Sequence, residues 1–448
     1  MTKITIIGGG SSTFTPQLMR LFVESNVLRG STITLMDIDA HRLEVMETLS
    51  RKIVKTRNAA LQVEGTTNQR ESLIDADFVV TAISVGGTYA WEKDIEIPAR
   101  YGVYMPIADS IGPGGIMRAF RHVPVLVGVG KDLEEVSPDA WVFNYTNPVT
   151  ANTMAMNRHT KVRTVGLCTC SSIPRNNKQL SEMLGVSGDP SLPAPAAGLN
   201  HCAAILELRF RDGRDALALT KGKIMNPILK WGLENYGILP YCWSHWLEFF
   251  PSLCQLDEEY RGRLQGLRMK YGIRAHDMEH EAARAKKWEL LVEEMAREEG
   301  KELSLEVLPK GEGIQVVEII EGILENRNEV HVVNVRNRGA VRNLPRDAIV
   351  EVSCVVGRYG IQPIQVGPLP ESLAATLNSH IAAQELTVEA ALSGDRHTAY
   401  RAFLQDPQIS SKLTPEQTEK LLDEMLNAHS GLLGGFGATG GVREVSSC

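Results

Sequence analysis

The sequence lacks any apolar run of the roughly 20 residues that a helix needs to cross a bilayer, so we predict no membrane span. Its first apolar run starts directly after Met1, Thr2 and Lys3, and we therefore expect no secretory signal. Positively charged residues are outnumbered by negatively charged ones. The 47 lysines and arginines against 54 aspartates and glutamates give a net charge of −7, which disfavours nucleic acid or an anionic membrane as a partner.

Cysteine is sparse and irregularly spaced. The 448 residues include 7 cysteines, an odd number, and their positions show no disulfide framework. In a chain of this size without an export signal, we expect reduced thiols in the cytoplasm, of which at least one is a candidate metal ligand. The cysteines are Cys168, Cys170, Cys202, Cys242, Cys254, Cys354 and Cys448.

Composition and hydrophobic periodicity predict an α/β protein. A hydrophobic content of 43% with 23% charged residues is typical of a globular protein, and the length suits two domains. Apolar runs alternate with segments of helical spacing, which predicts a Rossmann-type doubly wound parallel sheet over residues 1–190. A mixed α+β domain for substrate binding and oligomerisation is predicted over residues 191–430, and a flexible tail over 431–448. The predicted strands are 3–7, 31–36, 77–83, 141–145, 162–167, 203–211, 330–335 and 348–356, and the predicted helices are 16–28, 42–55, 117–133, 278–300, 373–392 and 415–426.

A glycine-rich turn follows the first predicted strand. Gly8, Gly9 and Gly10, followed by Ser11 and Ser12, precede a predicted helix. Glycines in such a turn let the backbone approach a pyrophosphate, and the helix N-terminus supplies oriented N–H groups. The turn is an incomplete dinucleotide motif, because its last glycine position holds threonine.

An acidic residue strengthens the cofactor hypothesis. Asp37 ends the second predicted strand, where a carboxylate can accept hydrogen bonds from ribose hydroxyls and repel a 2′-phosphate. This placement favours NAD over NADP. The alternative is that Asp37 and Asp39 only cap the following helix.

Candidate metal and substrate residues follow two later strands. Asn147 comes after strand 141–145 and Cys168 ends strand 162–167, while His201, preceded by Asn200, lies 33 positions after Cys168. A thiolate and an imidazole are good ligands for a borderline metal and leave positions open for substrate oxygens. Because a lone cysteine and a lone histidine are more often core residues, the spacing leaves both interpretations open.

A series of segments, in order along the chain, resembles glycoside hydrolase family 4. The matching segments are residues 8–11, 36–39, 75–79, 109–116, 144–148, 165–168, 198–201 and 357–367. The resemblance implies an NAD-dependent glycosidase in which Cys168 and His201 hold a divalent ion, usually manganese. It also implies that Asn147 contacts the cofactor and the sugar, that Asp109 lies near the leaving group, and that the chain forms a homo-oligomer, either a dimer or a tetramer.

The chemistry implied by the resemblance joins a redox cofactor to hydrolysis. NAD takes a hydride from sugar C3, the metal polarises the resulting ketone, a base removes the C2 proton, and the aglycone at C1 leaves by elimination. Water then adds and the hydride returns to the sugar. The net reaction is therefore hydrolysis, with NAD recycled in each turnover.

The resemblance is incomplete at the catalytic base. The family's base is often a tyrosine, or in some members an aspartate, and the matching aromatic here is Phe249, which cannot take a proton. Tyr241, His245 or a metal-bound hydroxide could serve instead, although Tyr241 could equally belong to the core or to a sugar-stacking wall. The run after Cys168 also departs from the family subgroups, and Cys170 is a second possible thiolate ligand.

Cationic side chains near the motifs bear on the choice of sugar. Arg175, His122 and His245 could recognise a uronate or a sulfonate through charge-assisted hydrogen bonds, or could instead bind cofactor phosphates or form surface ion pairs. The pattern His-x-x-Glu-Phe-x-Pro resembles the galactosidase and galacturonidase branch, and NAD-dependent sulfoquinovosidases are similar. We therefore predict an unphosphorylated or acidic α-glycoside as substrate, with Asn147, Arg175 and Asn200 as contacts.

Two other functions remain open from the sequence. A 2-hydroxy-acid dehydrogenase of the lactate or malate type would share the fold, but the arginine and His–Asp pair that it needs are absent from the expected places. A protein that binds NAD without turnover would explain the missing tyrosine. Retention of Asp109, Asn147, Cys168 and His201 counts against it.

Overall fold

Twelve strands join in one sheet in the part of the chain that the computed structural model describes. The described residues are 1–169, 195–210, 213–219, 224, 226–240, 242–256, 278–298, 303–308, 311 and 314–436. The strands are β1 (Lys3–Ile7), β2 (Thr32–Met36), β3 (Gln62–Thr66), β4 (Phe78–Thr81), β5 (Trp141–Asn144), β6 (Arg163–Gly166), β7 (Ala196–Leu199), β8 (Cys202–Ile205), β9 (Leu239–Pro240), β10 (Glu329–Arg336), β11 (Ile349–Gly357) and β12 (Gly360–Pro363).

The described helices lie between and after these strands. The helices before β7 are α1 (Phe14–Glu24), α2 (Ala40–Thr56), α3 (Gln69–Leu73), α4 (Gly87–Arg100), α5 (Gly112–Val136) and α6 (Val149–His159). The later helices are α7 (Ala216–Leu219), α8 (Pro227–Tyr236), α9 (Trp243–Trp246), α10 (Met278–Arg297), α11 (Val316–Glu325), α12 (Glu371–Ser393), α13 (Arg396–Gln405), α14 (Pro407–Ser410) and α15 (Pro415–Ala428). No described helix is both long enough and apolar enough to cross a bilayer.

The sheet has a parallel half and an antiparallel half. Its order is β3-β2-β1-β4-β5-β6-β10-β11-β7-β8-β9, with β12 paired to β11. The pairs from β3 to β6 are all parallel, which confirms the predicted Rossmann-type doubly wound sheet. Strand β10 then joins β6 in the antiparallel sense, so the later elements extend the first sheet. The division into domains at residues 190 and 430 stays a prediction.

Helices cover both faces of the parallel half. On one face Leu18 and Phe22 of α1 pack with Ile4 and Ile6 of β1, and all four are fully buried. The other face packs against α5, whose Leu126 is also fully buried. Full burial of each such side chain contributes on the order of 2 kcal/mol, so this two-sided packing fixes the strands that carry the site.

Helix α5 begins five residues before the predicted start at 117. Gly112, Pro113, Gly114 and Gly115 resemble a loop in sequence, but they form the first turn of this helix. A Cβ on Gly114 would lie 2.6 Å from the Ala108 carbonyl oxygen, so glycine is required by close packing rather than by a turn. Pro113 suits the first turn of the helix, because the backbone N–H groups of the first helical residues have no partner within the helix.

Other boundaries also differ from the sequence prediction. Helix α1 ends at Glu24 rather than at residue 28, and β3 and α4 were not predicted. The highly charged helix α10 buries Met278, Val292 and Ala296 and packs on α2. Residues 437–448 of the predicted tail lie outside the described residues.

Candidate active site

The glycine-rich turn is tied directly to the end of β2. The backbone N–H groups of Gly8 and Gly9 both donate to the Met36 carbonyl oxygen. Gly8 has φ +94°, and a Cβ there would lie 2.3 Å from the Ala82 carbonyl oxygen. Trp288 of α10 donates its indole N–H to the Ser12 carbonyl oxygen and so covers the turn from the second half of the chain.

The two acidic residues after β2 have separate tasks. Asp37 accepts a 2.9 Å hydrogen bond from the Gly10 N–H, and a Cβ on Gly10 would lie 2.8 Å from the Asp37 carboxyl carbon. Asp39 is the N-cap of α2 and accepts from the N–H groups of His41 and Arg42. The helix-capping alternative therefore applies to Asp39, while Asp37 joins the second strand to the glycine-rich turn.

Asp109 lies in the loop before α5 and is almost fully buried. Its Oδ1 accepts from the Ser110 hydroxyl at 2.6 Å, and its Oδ2 accepts from Asn147 Nδ2 at 2.7 Å. Burial alone would raise the pKa of Asp109, but attraction to His245, His201 and Arg118 outweighs it and lowers this pKa to about 2. Asp109 is therefore an acceptor at neutral pH.

Two histidines from distant segments stack beside Asp109. His201 lies in the turn between β7 and β8 with φ +68°, and His245 lies in the short helix α9. Their ring centroids are 3.7 Å apart, and a nitrogen of each ring lies 3.9 Å from Asp109 Oδ1. Ser110 Oγ lies 2.7 Å from His201 Nδ1 and links that ring to the carboxylate.

Cys242 joins the two histidines. Its Sγ lies 3.2 Å from His245 Nδ1, and one ligand atom from each of His201, Cys242 and His245 lies within 4.8 Å of the others. Among the described residues this is the group of three such side chains with the geometry to hold a metal ion. The spacing Cys242-x-x-His245 is visible in the sequence and is the signal that could have identified the pair.

Cys168 and His201 share a buried neighbour. Gly166, Asn334, Glu351 and Gly198 lie side by side across β6, β10, β11 and β7. Burial, followed by repulsion from Cys168, raises the pKa of Glu351 well above its ordinary value, against opposing hydrogen bonds that include the His201 backbone. The metal role of Cys168 and His201 stays a prediction.

Asn147 and His122 connect the β5–α6 turn to this site. His122 is fully buried, its Nε2 accepts from the Val85 N–H and its Nδ1 donates to the Asn147 carbonyl oxygen. Burial lowers its pKa well below the ordinary value. The hypothesis that His122 recognises an acidic sugar is therefore wrong, because both ring nitrogens are hydrogen-bonded to backbone atoms of Val85 and Asn147. Arg175, Tyr241 and Cys170 lie outside the described residues.

Glu248 positions the loop that carries Asp109. Its Oε1 accepts from the N–H groups of Ile107 at 2.7 Å and Ala108 at 2.9 Å, and its side chain is fully buried. Burial, followed by repulsion from Asp109, raises the pKa of Glu248 to about 8 despite these two bonds. Glu248 is the acidic residue of the His-x-x-Glu-Phe-x-Pro pattern, which by itself does not reveal this positioning role.

Comparison with known proteins gives consistent matches over most of the chain. The model of the family 4 glycosyl hydrolases matches residues 3–186, and the model of the family 4 glycosyl hydrolase C-terminal domain matches residues 196–409. The chain is 32% identical to an α-galactosidase of Bacillus subtilis (strain 168), over 96% of this chain and 98% of the relative. It is 27% identical to an α-galacturonidase of the same strain, over 95% and 96% of the two chains.

A solved structure shares the fold. A 6-phospho-α-glucosidase from gut microorganisms, in complex with NAD and Mn²⁺, superposes with a TM-score of 0.80 at 23% identity, over 96% of this chain and 99% of that chain. At this identity the likeness establishes the architecture.

We predict that Glu248→Gln removes part of the pH dependence of stability. Because the folded-state pKa is about 8 against an ordinary value of 4.5, the folded protein binds this proton more tightly than the unfolded chain. Because of Glu248, the free energy of unfolding of the parent therefore falls as pH rises from about 4.5 to about 8, by up to about 1.4 kcal/mol per pH unit. Across this pH window, the free energy of unfolding of the Gln variant, measured in urea, should rise relative to that of the parent.

The matched comparison is Glu248→Ala. Alanine leaves the Ile107 and Ala108 N–H groups without an acceptor, so it should destabilise the protein by about 1–3 kcal/mol for each group. Glutamine keeps an acceptor, its side-chain carbonyl oxygen, for these N–H groups. Equal pH dependence in the parent and the Gln variant would contradict the assignment.

Proposed function

The chain belongs to glycosyl hydrolase family 4, and on that premise we propose that it cleaves an unphosphorylated or acidic α-glycoside with NAD and a divalent ion, expected to be Mn²⁺. The sugar is a galactoside, glucoside, uronide or sulfoquinovoside. The family matches support a glycoside hydrolase over the 2-hydroxy-acid dehydrogenase alternative, because they span both halves of the chain. The α-galactosidase and α-galacturonidase relatives support the choice of substrates.

The convergence at Asp109 carries this proposal. One buried carboxylate contacts Asn147 from the β5–α6 turn, His201 from the β7–β8 turn and His245 from α9. Four separate segments thus deliver acceptors, donors and metal-ligating groups to one place. A cluster of this composition suits acid–base chemistry on a polar substrate.

The residues present fit NAD. The first turn of α1 contains no acidic side chain, which leaves the positive end of the helix for a pyrophosphate. Asp37 uses part of its acceptor capacity on Gly10 and Asp39, and a carboxylate has further lone pairs for ribose hydroxyls. We assign Gly8, Gly10, Ser11, Ser12, Asp37 and Asn147 to cofactor binding.

The residues present also fit an ion and a sugar. Cys168 and His201 supply a thiol and an imidazole, which suit a divalent metal. Asn147 Oδ1 is buried and has no hydrogen-bond partner, so it offers an acceptor to a sugar hydroxyl. Asn200 and Arg175 are the other proposed substrate contacts.

Each catalytic residue then has a defined task. When bound, NAD accepts and returns the hydride of sugar C3 while the ion polarises the C3 oxygen, so that the C2 proton becomes acidic. His245 or Tyr241 removes that proton. Asp109, ionised at neutral pH, orients His245 and Asn147 beside the leaving group. Departure of the aglycone from C1 and addition of water complete hydrolysis.

We also infer the cellular setting. None of the described cysteines forms a disulfide, which supports a reducing compartment and hence the cytoplasm. A homo-oligomer, dimer or tetramer, and a division near residue 190 between cofactor-binding and substrate-binding domains complete the proposal. Neither nucleic acid nor membrane is a proposed partner.

We predict that Asp37→Ala weakens NAD binding about tenfold and narrows the preference for NAD over NADP. The variant loses a charged acceptor for the ribose, worth about 1.4 kcal/mol, and the repulsion of a 2′-phosphate. Calorimetric titration with each dinucleotide measures both effects. Asp39→Ala is the control, since it removes the α2 cap and an exposed ion pair with Arg42 and should leave NAD affinity unchanged. Equal losses in the two variants would argue against Asp37 as a ribose ligand.

We predict that Cys168→Ser and His201→Ala each abolish glycoside cleavage while NAD binding survives. Both remove a proposed ion ligand and leave the turn at residues 8–12 intact. Nitrophenol release and NAD titration provide the two measurements. Parental activity in both variants would remove the metal role.

A last prediction concerns the C2 proton. Turnover in D₂O should place deuterium at sugar C2, because the proposed base exchanges its proton with solvent before the reaction completes. Mass spectrometry and NMR of the released sugar detect the label. Complete absence of label at C2 would indicate ordinary displacement chemistry.

A further inference from the structure

We propose that His201, Cys242 and His245 form a three-ligand metal site that binds Zn²⁺ or Co²⁺ more tightly than Mn²⁺. The inference rests on the proposed function, since it concerns the divalent ion of that same site. The family resemblance assigns the ion to Cys168 and His201. Cys242 and His245 are assigned here by the geometry of the folded chain. With one ring nitrogen of His245 at the ion and the other facing Asp109, removal of the C2 proton falls to Tyr241.

The donor atoms have suitable spacing. In a tetrahedral zinc site, Zn–N and Zn–S distances of about 2.05 and 2.3 Å place the donor atoms about 3.4–3.6 Å apart. One ligand atom from each of the three residues lies within 4.8 Å of the others, and Cys242 Sγ to His245 Nδ1 is 3.2 Å. Movements of about 1 Å or less would thus complete the geometry.

Neighbouring side chains orient both imidazoles. Ser110 Oγ lies at 2.7 Å from His201 Nδ1, which leaves Nε2 of that ring to bind an ion. His245 has its Nδ1 towards Cys242 and its Nε2 towards Asp109, 3.9 Å away. A carboxylate behind a histidine ligand is a common arrangement at metal sites, because it fixes the ring and raises the basicity of the ligand nitrogen.

A hydrogen-bonded Cys–His pair without metal would be a simpler explanation of residues 242–245. Such a local pair needs no third member. His201 comes from a turn 41 positions earlier in the chain, adopts a left-handed backbone conformation and still stacks on His245 at 3.7 Å. The strained position of this third donor is typical of a functional constraint.

The donor set determines the metal preference. A thiolate and two imidazoles bind zinc and cobalt more strongly than manganese, which prefers oxygen ligands. Three protein ligands also leave a coordination position open for a substrate oxygen. Manganese could still occupy the site where it is the more abundant ion, since affinity and availability together decide occupancy.

Cobalt spectroscopy on the full-length protein tests the assignment. Metal-free protein is titrated with Co²⁺, and the thiolate-to-cobalt absorption band and the ligand-field bands are recorded. Zn²⁺ and Mn²⁺ then compete for the bound cobalt. The parent should show thiolate ligation and release cobalt to zinc but not to equimolar manganese.

Four variants separate the possible ligands. Cys242→Ala and His245→Ala should each lower cobalt affinity by about tenfold or more, and Cys242→Ala should weaken the thiolate band. Cys168→Ala measures the ligand that the resemblance implies, and Cys354→Ala, a buried thiol on β11, is the control for loss of a core sulfur. Thermal unfolding of each metal-free variant shows that it is folded.

The outcomes distinguish this inference from the proposed function. Loss of cobalt binding in the Cys242 and His245 variants supports the site, even if the parent cleaves no glycoside. The inference is overturned if the parent binds no cobalt, or if the folded Cys242→Ala and His245→Ala variants bind it as the parent does. Glycoside cleavage in that last case would leave the proposed function intact.

Discussion

A buried negative charge at Asp109 organises the site. An ionised carboxylate removed from water is costly unless it is paired and hydrogen-bonded. Here Ser110 and Asn147 donate to it, and His201, His245 and Arg118 surround it with positive or polarisable groups. Asn147, His201 and His245 arrive from three other segments of the chain, so the carboxylate can be buried in this way only when those segments have assembled.

The loop that carries Asp109 is held in turn by groups farther from the chemistry. Glu248 accepts from two backbone N–H groups directly before Asp109, and Asp406 accepts from the Gly112 N–H directly after it. The Gln408 side chain donates to the Glu248 carbonyl oxygen, so the two supports are themselves connected. This arrangement explains why the C-terminal helices, remote in sequence, are needed for a site whose acid lies in the first quarter of the chain.

Much of the fold and part of the site could be predicted from the sequence, because they depend on local patterns. Alternating apolar runs gave the parallel strands, and Asp37 could be placed because it ends a strand next to a glycine-rich turn. Helix α5 started earlier than predicted because its glycines serve close packing against Ala108 and Ser110, which no local pattern reveals. Cys242 was missed as a partner of His201 because their contact depends on how β8, β9 and α9 return to the sheet.

The proposed mechanism requires that the sugar is oxidised and then restored within one active site. The most direct measurement is nitrophenol release from neutral, uronate and sulfonated glycosides, with NAD and divalent ion omitted in turn and NADH absorbance followed throughout. We expect release to require both additions, with no accumulation of NADH. Undiminished release without NAD, or NADH formed in step with product, would contradict the account.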